Sequence, residues 1–217
     1  RFDALMERQV DAGAAGLLRL SLEERSIKFR WPAQTVAVTG TGHATGLRFG
    51  DGSDLLADLI VMAVGVRPNM ELARQSGVRC DRGVLVDDTM QTYDPSIYAV
   101  GECVQHRDLT FGLVAPLWEQ ARVCAAHLAE VGTTRYRATL SATHLKVTGL
   151  DLYSAGDFLG GSAAEAIVLR DPKRGIYKRL VIRDNKLRGA VLFGDASDAS
   201  WYFDMMSDGR DIGPLRD

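Results

Sequence analysis

Cysteine is scarce in this 217-residue chain, which holds only Cys80, Cys103 and Cys124, far apart and without a CxxC pair. Such a set cannot build a disulfide framework, a four-thiolate zinc site or a four-thiolate iron–sulfur site. Long hydrophobic runs are also lacking: nothing approaches the ~20 apolar residues that span a bilayer. The opening residues, Arg1-Phe2-Asp3-Ala4-Leu5-Met6-Glu7-Arg8, contain no apolar core of a signal peptide. Net charge is small, with 26 Lys and Arg against 28 Asp and Glu giving −2. That balance offers no footprint for a nucleic-acid backbone or an anionic membrane. The expectation is a reduced, cytoplasmic setting with no nucleic acid, membrane or metal partner. The chain does not begin with Met and opens into what reads as the interior of a fold, so a fragment is expected.

What is present is ordinary globular composition, 46% hydrophobic and 25% charged. Residues 12–26 read as an amphipathic helix, with Leu17, Leu18, Leu20 and Leu22, and Ile27 just beyond, in a helical stripe. Short strand-like runs follow: Thr35-Val36-Ala37-Val38 before Gly40-Thr41-Gly42, and Gly46-Leu47-Arg48-Phe49 before the hairpin signal Gly50-Asp51-Gly52. Leu59-Ile60-Val61-Met62-Ala63-Val64 lacks alternation, which predicts a strand buried on both faces that exits at Gly65. Gly83 to Asp87 predicts a short strand. Ile97-Tyr98-Ala99-Val100 predicts another buried one, closing on Gly101-Glu102. A helix is expected from about Leu117 to Ala129 with Pro116 near its first turn. Gly132 to Arg137 is the expected domain boundary. Beyond it a small α+β unit is predicted, with a hairpin about Asp184-Asn185 and a closing helix over 200–206.

Gly40-Thr41-Gly42-His43-Ala44-Thr45 starts like a dinucleotide loop, but Thr45 stands where a glycine is needed and strands follow, so it reads as a glycine hairpin. A strand ending in Gly101-Glu102 lets backbone approach a ligand and sets a carboxylate to accept hydrogen bonds from sugar-like hydroxyls. By itself the same segment reads first as a strand and a turn, with the carboxylate solvated. Pro116-Leu117-Trp118 likewise offers either helix N–H groups to an electron-rich ring or an ordinary helix start with Trp118 in the core. His106, His127 and His144 have no partner at metal spacing and are expected in surface or capping roles; Cys103, directly after Glu102, offers either a redox thiol or, as the first reading, a packed residue.

Taken together, residues 59–69 and 92–102 resemble the flavin-dependent pyridine-nucleotide oxidoreductases. The first resembles the strand leaving their NAD(P)H domain, the second their later flavin motif, with Glu102 where most members have Asp. Gly101 to Arg107, Gly112 to Ala121 and Leu145 to Asp157 narrow the resemblance to the large-subunit family of assimilatory NAD(P)H-dependent nitrite reductases. The resemblance implies an α/β class: a partial two-dinucleotide-binding-domain flavoprotein fold followed by a small α+β C-terminal interface domain. It divides the chain into residues 1–67 (remainder of the NAD(P)-binding domain), 68–133 (return segment of the FAD-binding domain) and 134–217 (interface domain).

The implied cofactors are FAD and NAD(P)H, with an iron–sulfur cluster and sirohaem only in a parent protein. The implied cofactor-binding residues are Gly65 beside the nicotinamide dinucleotide, Gly101 and Glu102 at the ribityl chain, and Pro116, Leu117 and Trp118 at the flavin ring. No side-chain acid or base is required, so no catalytic residue is nominated. The implied partners are the nucleotide cofactors and the missing domains or subunits of the parent reductase. Two alternatives stand beside this reading: a stand-alone reductase of a small carrier such as rubredoxin or ferredoxin, and a truncated, non-catalytic binding or assembly module.

Overall fold

The structure, a computed structural model, describes residues 5–138, 140, 142–147 and 149–215. In chain order the first elements are α1 (Ala12–Glu23), β1 (Thr35–Thr39), β2 (Gly46–Phe49), β3 (Asp54–Leu56), α2 (Glu71–Gln75) and β4 (Val84–Val86). Then come β5 (Val104–His106), β6 (Leu109–Thr110), α3 (Val114–Leu128), β7 (Ala142–Val147) and β8 (Leu150–Gly156). The last are β9 (Glu165–Asp171), β10 (Ile176–Arg183), β11 (Lys186–Phe193) and α4 (Ala199–Asp208). They form two compact units, one taking residues up to Ile60 and from Leu140 on, the other starting at Val61.

The first unit is built on an antiparallel five-stranded sheet in the order β7-β8-β11-β10-β9. Alternation along β8 and β11 sends neighbouring side chains to opposite faces. Leu152 and Val191 meet Ala14, Ala15 and Leu18 of α1, together with Tyr177 and Phe193. Tyr153 and Leu192 meet Ala196 and Ala199 on the side of α4. Each of the buried Leu, Val and Phe side chains contributes about 1.5–3 kcal/mol of transfer free energy.

Helix α1 starts at Asp11, whose carboxylate accepts from the N–H groups of Gly13 (3.2 Å) and Ala14 (3.4 Å), satisfying two orphan donors. The predicted hairpin between β10 and β11 forms, with φ of 55° at Asp184 and 53° at Asn185, the pair of positive values that suits the twist of two strands. Strands β1, β2 and β3 make a separate antiparallel meander, with Gly40-Thr41-Gly42 and Gly50-Asp51-Gly52 in its two turns. The dinucleotide-like glycines are thus a hairpin, as read.

In the second unit β4 runs parallel to β5, and β6 returns antiparallel. Its core is Met90, Val123, Cys124 and Tyr136, flanked by Val86, Tyr98 and Phe111.

Three expectations change. The run Leu59 to Val64 is not a buried strand: it is irregular and unpaired among the described residues, with Leu59, Val61, Met62 and Val64 between 78% and 84% exposed. A run without alternation needs neighbours on both sides, and no described strand pairs with it. Ile97 to Val100 is also not a strand. It makes one isolated bridge, Tyr98 to Gln91, and the regular strand β5 begins only after Gly101-Glu102. Helix α3 starts at Val114, ahead of the expected Leu117, so Pro116 lies within the first turn, where its missing N–H costs nothing. The compact unit that holds the C-terminal sheet also holds α1, whose apolar face is buried on that sheet.

Candidate functional site

The residues nominated from sequence lie in the second unit. Gly101 has φ of 103°, a value open to glycine and strained for any L side chain, and no atom lies within 4 Å of where a Cβ would stand. Its carbonyl accepts from Val104 N–H (3.2 Å), closing the turn that launches β5. Glu102 sits exposed on that turn, and its carboxylate makes no hydrogen bond or ion pair among the described residues. The turn is tied to α3 by Gly101 N–H donating to Gln120 Oε1 at 2.9 Å.

Helix α3 begins after Leu113, whose backbone is extended (φ −119°, ψ 144°) and whose side chain caps nothing. The N–H groups of the first turn therefore lack the side-chain acceptor that most helices supply. Around them stand exposed apolar side chains: Leu113, Val114 and Trp118, the last 69% exposed. Pro116 and Leu117 are half-buried. Trp118 is thus not a core residue. Gly65, φ 85°, lies in the exposed irregular segment, and the next residue, Val66, sits with Cγ2 3.7 Å from the position of a Cβ on Gly112, just before α3. The structure therefore brings Gly101 and Glu102 to the same helix that carries Pro116, Leu117 and Trp118, and passes the Gly65 segment close to its start.

Behind this surface lies a buried polar cluster that sequence reasoning did not find. His106, expected at the surface, is 2% exposed. Its Nε2 is 2.8 Å from Asp88 Oδ1, and its ring meets Tyr136 edge-on at 5.0 Å between centroids. The His106 hydrogen bond, with Arg107 beside it, holds the Asp88 carboxyl below the ordinary carboxylate range. Burial pushes the Tyr136 hydroxyl up, opposed by its interaction with Gln120. Gln120 itself is fully buried, and its Nε2 has no hydrogen bond of good geometry. His127, on α3, takes a polar partner: its Nδ1 lies 2.9 Å from the Tyr98 hydroxyl. His144 pairs with Asp151 at 2.8 Å in the first unit. Burial also raises the half-buried Cys103 thiol above its usual range, which disfavours its thiolate.

A helix start with free N–H groups favours an electron-rich or anionic edge, and a nearby free carboxylate favours hydroxyl donors. Among the described residues no group of three His, Cys, Asp or Glu side chains converges as a metal site, and no helix is long and apolar enough to cross a membrane.

Residues 1–127 match the family Pyridine nucleotide-disulphide oxidoreductase, and residues 142–210 match the Rubredoxin NAD+ reductase C-terminal domain. The chain is 48% identical to nitrite reductase [NAD(P)H] of Bacillus subtilis over 96% of this chain and 26% of that protein. It is 42% identical to the assimilatory nitrate reductase electron transfer subunit of the same organism, over 96% of this chain and 27% of that one. Rubredoxin-NAD(+) reductase of Pseudomonas putida is 38% identical over 52% of this chain and 30% of that protein. The chain thus spans about a quarter of the length of the first curated relatives it matches. Among solved structures, the ferredoxin reductase for the CYP199A2 system of Rhodopseudomonas palustris superposes with a TM-score of 0.84 at 22% identity, covering 98% of this chain and 54% of that one. Its likeness is one of fold, the α/β flavoprotein-reductase architecture with a C-terminal α+β domain. With residues 1–127, more than half of the chain, matching the family, the chain belongs to the pyridine nucleotide-disulphide oxidoreductases.

Proposed function

We propose that this chain is the later part of the electron-input module of an FAD-dependent NAD(P)H reductase of the nitrite-reductase kind. In that protein electrons pass from NAD(P)H to FAD and onward to an iron–sulfur and sirohaem centre held elsewhere. The observation that carries the reading is similarity to a nitrite reductase running through nearly the whole chain at an identity well above that of the carrier reductases. The division at residues 67 and 133 is kept as a proposal about domain of origin. The setting we propose is the cytoplasm, in keeping with three free thiols. The partners are the remaining domains or subunits of the reductase.

Flavin and nicotinamide supply the hydride and electron chemistry when bound, and the chain contributes holding and alignment. Glu102 accepts hydrogen bonds from the ribityl hydroxyls, and Gly101 keeps the backbone open beside them. The uncapped first turn of α3, which includes Pro116 and Leu117, aims N–H groups at the electron-rich edge of the ring, where they stabilise negative charge on the reduced form. Trp118 supplies an apolar flank that excludes water. Gly65, with no side chain, leaves room for the nicotinamide dinucleotide. The open space at Gly101, the unpaired Glu102 carboxylate and the uncapped helix start support this fit.

The match of residues 142–210 favours one second reading, a reductase of a small carrier such as rubredoxin. A reconstitution experiment tests both. The chain is mixed with FAD and with a polypeptide carrying the glycine-rich nucleotide-binding segments of such a reductase, then desalted. Retained flavin absorbance that NADH or NADPH bleaches is expected. Reoxidation by a carrier protein such as rubredoxin, and not through a sirohaem partner, would favour the second reading. A folded but colourless mixture counts against both and leaves a non-catalytic module.

A further inference from the structure

We infer that Gln120 is the positioning residue of the flavin site: its buried amide fixes the Gly101-Glu102 turn against the first turn of α3. The inference rests on the FAD reading above and assigns a role to a residue outside the proposed contact set. Gln120 stands one helical turn past Pro116 and is fully buried, an uncommon place for a glutamine unless its amide is used. Its Oε1 takes the Gly101 N–H at 2.9 Å. That N–H cannot be satisfied by regular structure, because the residues before it form no strand and β5 begins only after the turn. The φ of 103° at Gly101 is held against a wide choice of glycine conformations, so an anchor has something to select.

Its Nε2 is buried without a hydrogen bond, so the Gly101 N–H is the polar partner that fixes the amide. Nearby Tyr136 is fixed by its own N–H to Asp88 O (2.7 Å) and by its edge contact with His106. One side chain therefore sets the spacing between the carboxylate proposed for the ribityl chain and the N–H groups proposed for the ring. A site loosened at such a joint loses affinity without losing any contacting group.

The test compares Gln120→Leu, which removes the acceptor at similar size, with Gln120→Glu, which keeps an oxygen for the Gly101 N–H. Val123→Ala weakens the same helix's core without touching the turn. Two readouts are used on the same full chain, alone and complemented as above: hydrogen exchange of the Gly101 amide without flavin, and the FAD dissociation constant by fluorescence. Gln120→Leu is expected to expose the Gly101 amide and weaken FAD binding by about tenfold or more. Gln120→Glu should retain Gly101 protection and bind within about threefold of the unsubstituted chain, and Val123→Ala should leave both readouts unchanged once folded.

Unchanged Gly101 exchange in Gln120→Leu overturns the inference, and so does equal weakening by Val123→Ala. If Gln120→Leu does not fold, Gln120→Glu decides: loss of Gly101 protection there overturns the inference. An unsubstituted, complemented chain that takes up no FAD overturns the functional reading and the inference together. Equal FAD affinity in all variants overturns the inference alone.

Discussion

Tyr177 shows how one side chain links two distant parts of the sequence. It is 1% exposed and donates its hydroxyl to Asp11 Oδ2 at 2.6 Å, joining the N-cap of α1 to strand β10. Burial, then the adjacent Asp11 carboxylate, push this hydroxyl up to about 12. An unfolded tyrosine ionises near 10, so between these values the folded chain keeps a proton that the unfolded chain has lost. Stability from this group is intact below about pH 10 and declines as pH rises to about 12, by roughly 2–3 kcal/mol. Urea midpoints measured from pH 9 upward should show this decline in the unsubstituted chain and a shallower one in Tyr177→Phe; parallel curves would refute the assignment. Near neutral pH Tyr177→Phe should cost only about 1 kcal/mol, because Asp11 keeps its bonds to Gly13 and Ala14. At this scale the sequence revealed the turn at Gly101-Glu102 but not Gln120 or His106. A polar residue on an amphipathic helix reads as surface, and what buries Gln120 is an N–H far away in sequence. The available signal was its spacing from Val123, Cys124 and His127, which puts it on their face of α3.

Helix α3 poses a trade-off between stability and binding. Leu113 already has the extended backbone of an N-cap but no side-chain oxygen. Leu113→Asp should stabilise the helix by about 1 kcal/mol. The same carboxylate would occupy the N–H groups proposed for the flavin and repel negative charge on its reduced form. The expected outcome is a raised Tm together with weaker FAD binding, read by thermal melts and fluorescence titration of the complemented chain. A raised Tm with unchanged FAD affinity would remove α3's first turn from the site. A second prediction concerns β11. A Cβ on Gly189 would stand 2.3 Å from Asp157 O and 2.5 Å from Phe158 N, both backbone atoms that cannot turn aside. Gly189→Ala should therefore destabilise the first unit by about 1–3 kcal/mol, the range of core overpacking, as a lower urea midpoint. Elements whose hydrogen bonds are local were legible: α1, the body of α3, and the β10–β11 hairpin about Asp184-Asn185. Ile97 to Val100 was not, since its composition matches a buried strand whereas strand formation depends on a ladder partner, and it finds only the bridge to Gln91.

For the molecule as a whole, the exposed run from Leu59 to Val66 is the feature with the largest consequence. Val61, Met62, Val64 and Val66 are each more than 70% exposed, in irregular backbone without a ladder partner among the described residues. Leu113, Val114 and Trp118 add exposed apolar surface elsewhere in the same unit. Contiguous apolar surface with unpaired backbone is a template for association. The sequence carried the apolar character of this run correctly. Whether a strand forms there was not legible, because periodicity records what a segment can pair with and not whether a partner is present. On this physical ground the chain alone should self-associate as its concentration rises, in sedimentation velocity or light scattering. Replacing Val61 and Val64 together by Lys places charge on the unpaired edge and should shift the distribution toward monomer. Hydrogen exchange in β10 and β11 should be unaffected by the pair, since neither residue belongs to their sheet. Under the proposed function the same two substitutions should reduce recovery of flavin in the complementation experiment, because the run would then be the strand that a missing neighbour covers. A chain that stays monomeric without the lysines, at concentrations where they were expected to matter, would mean that the run is protected in solution by contacts other than those of an exposed edge.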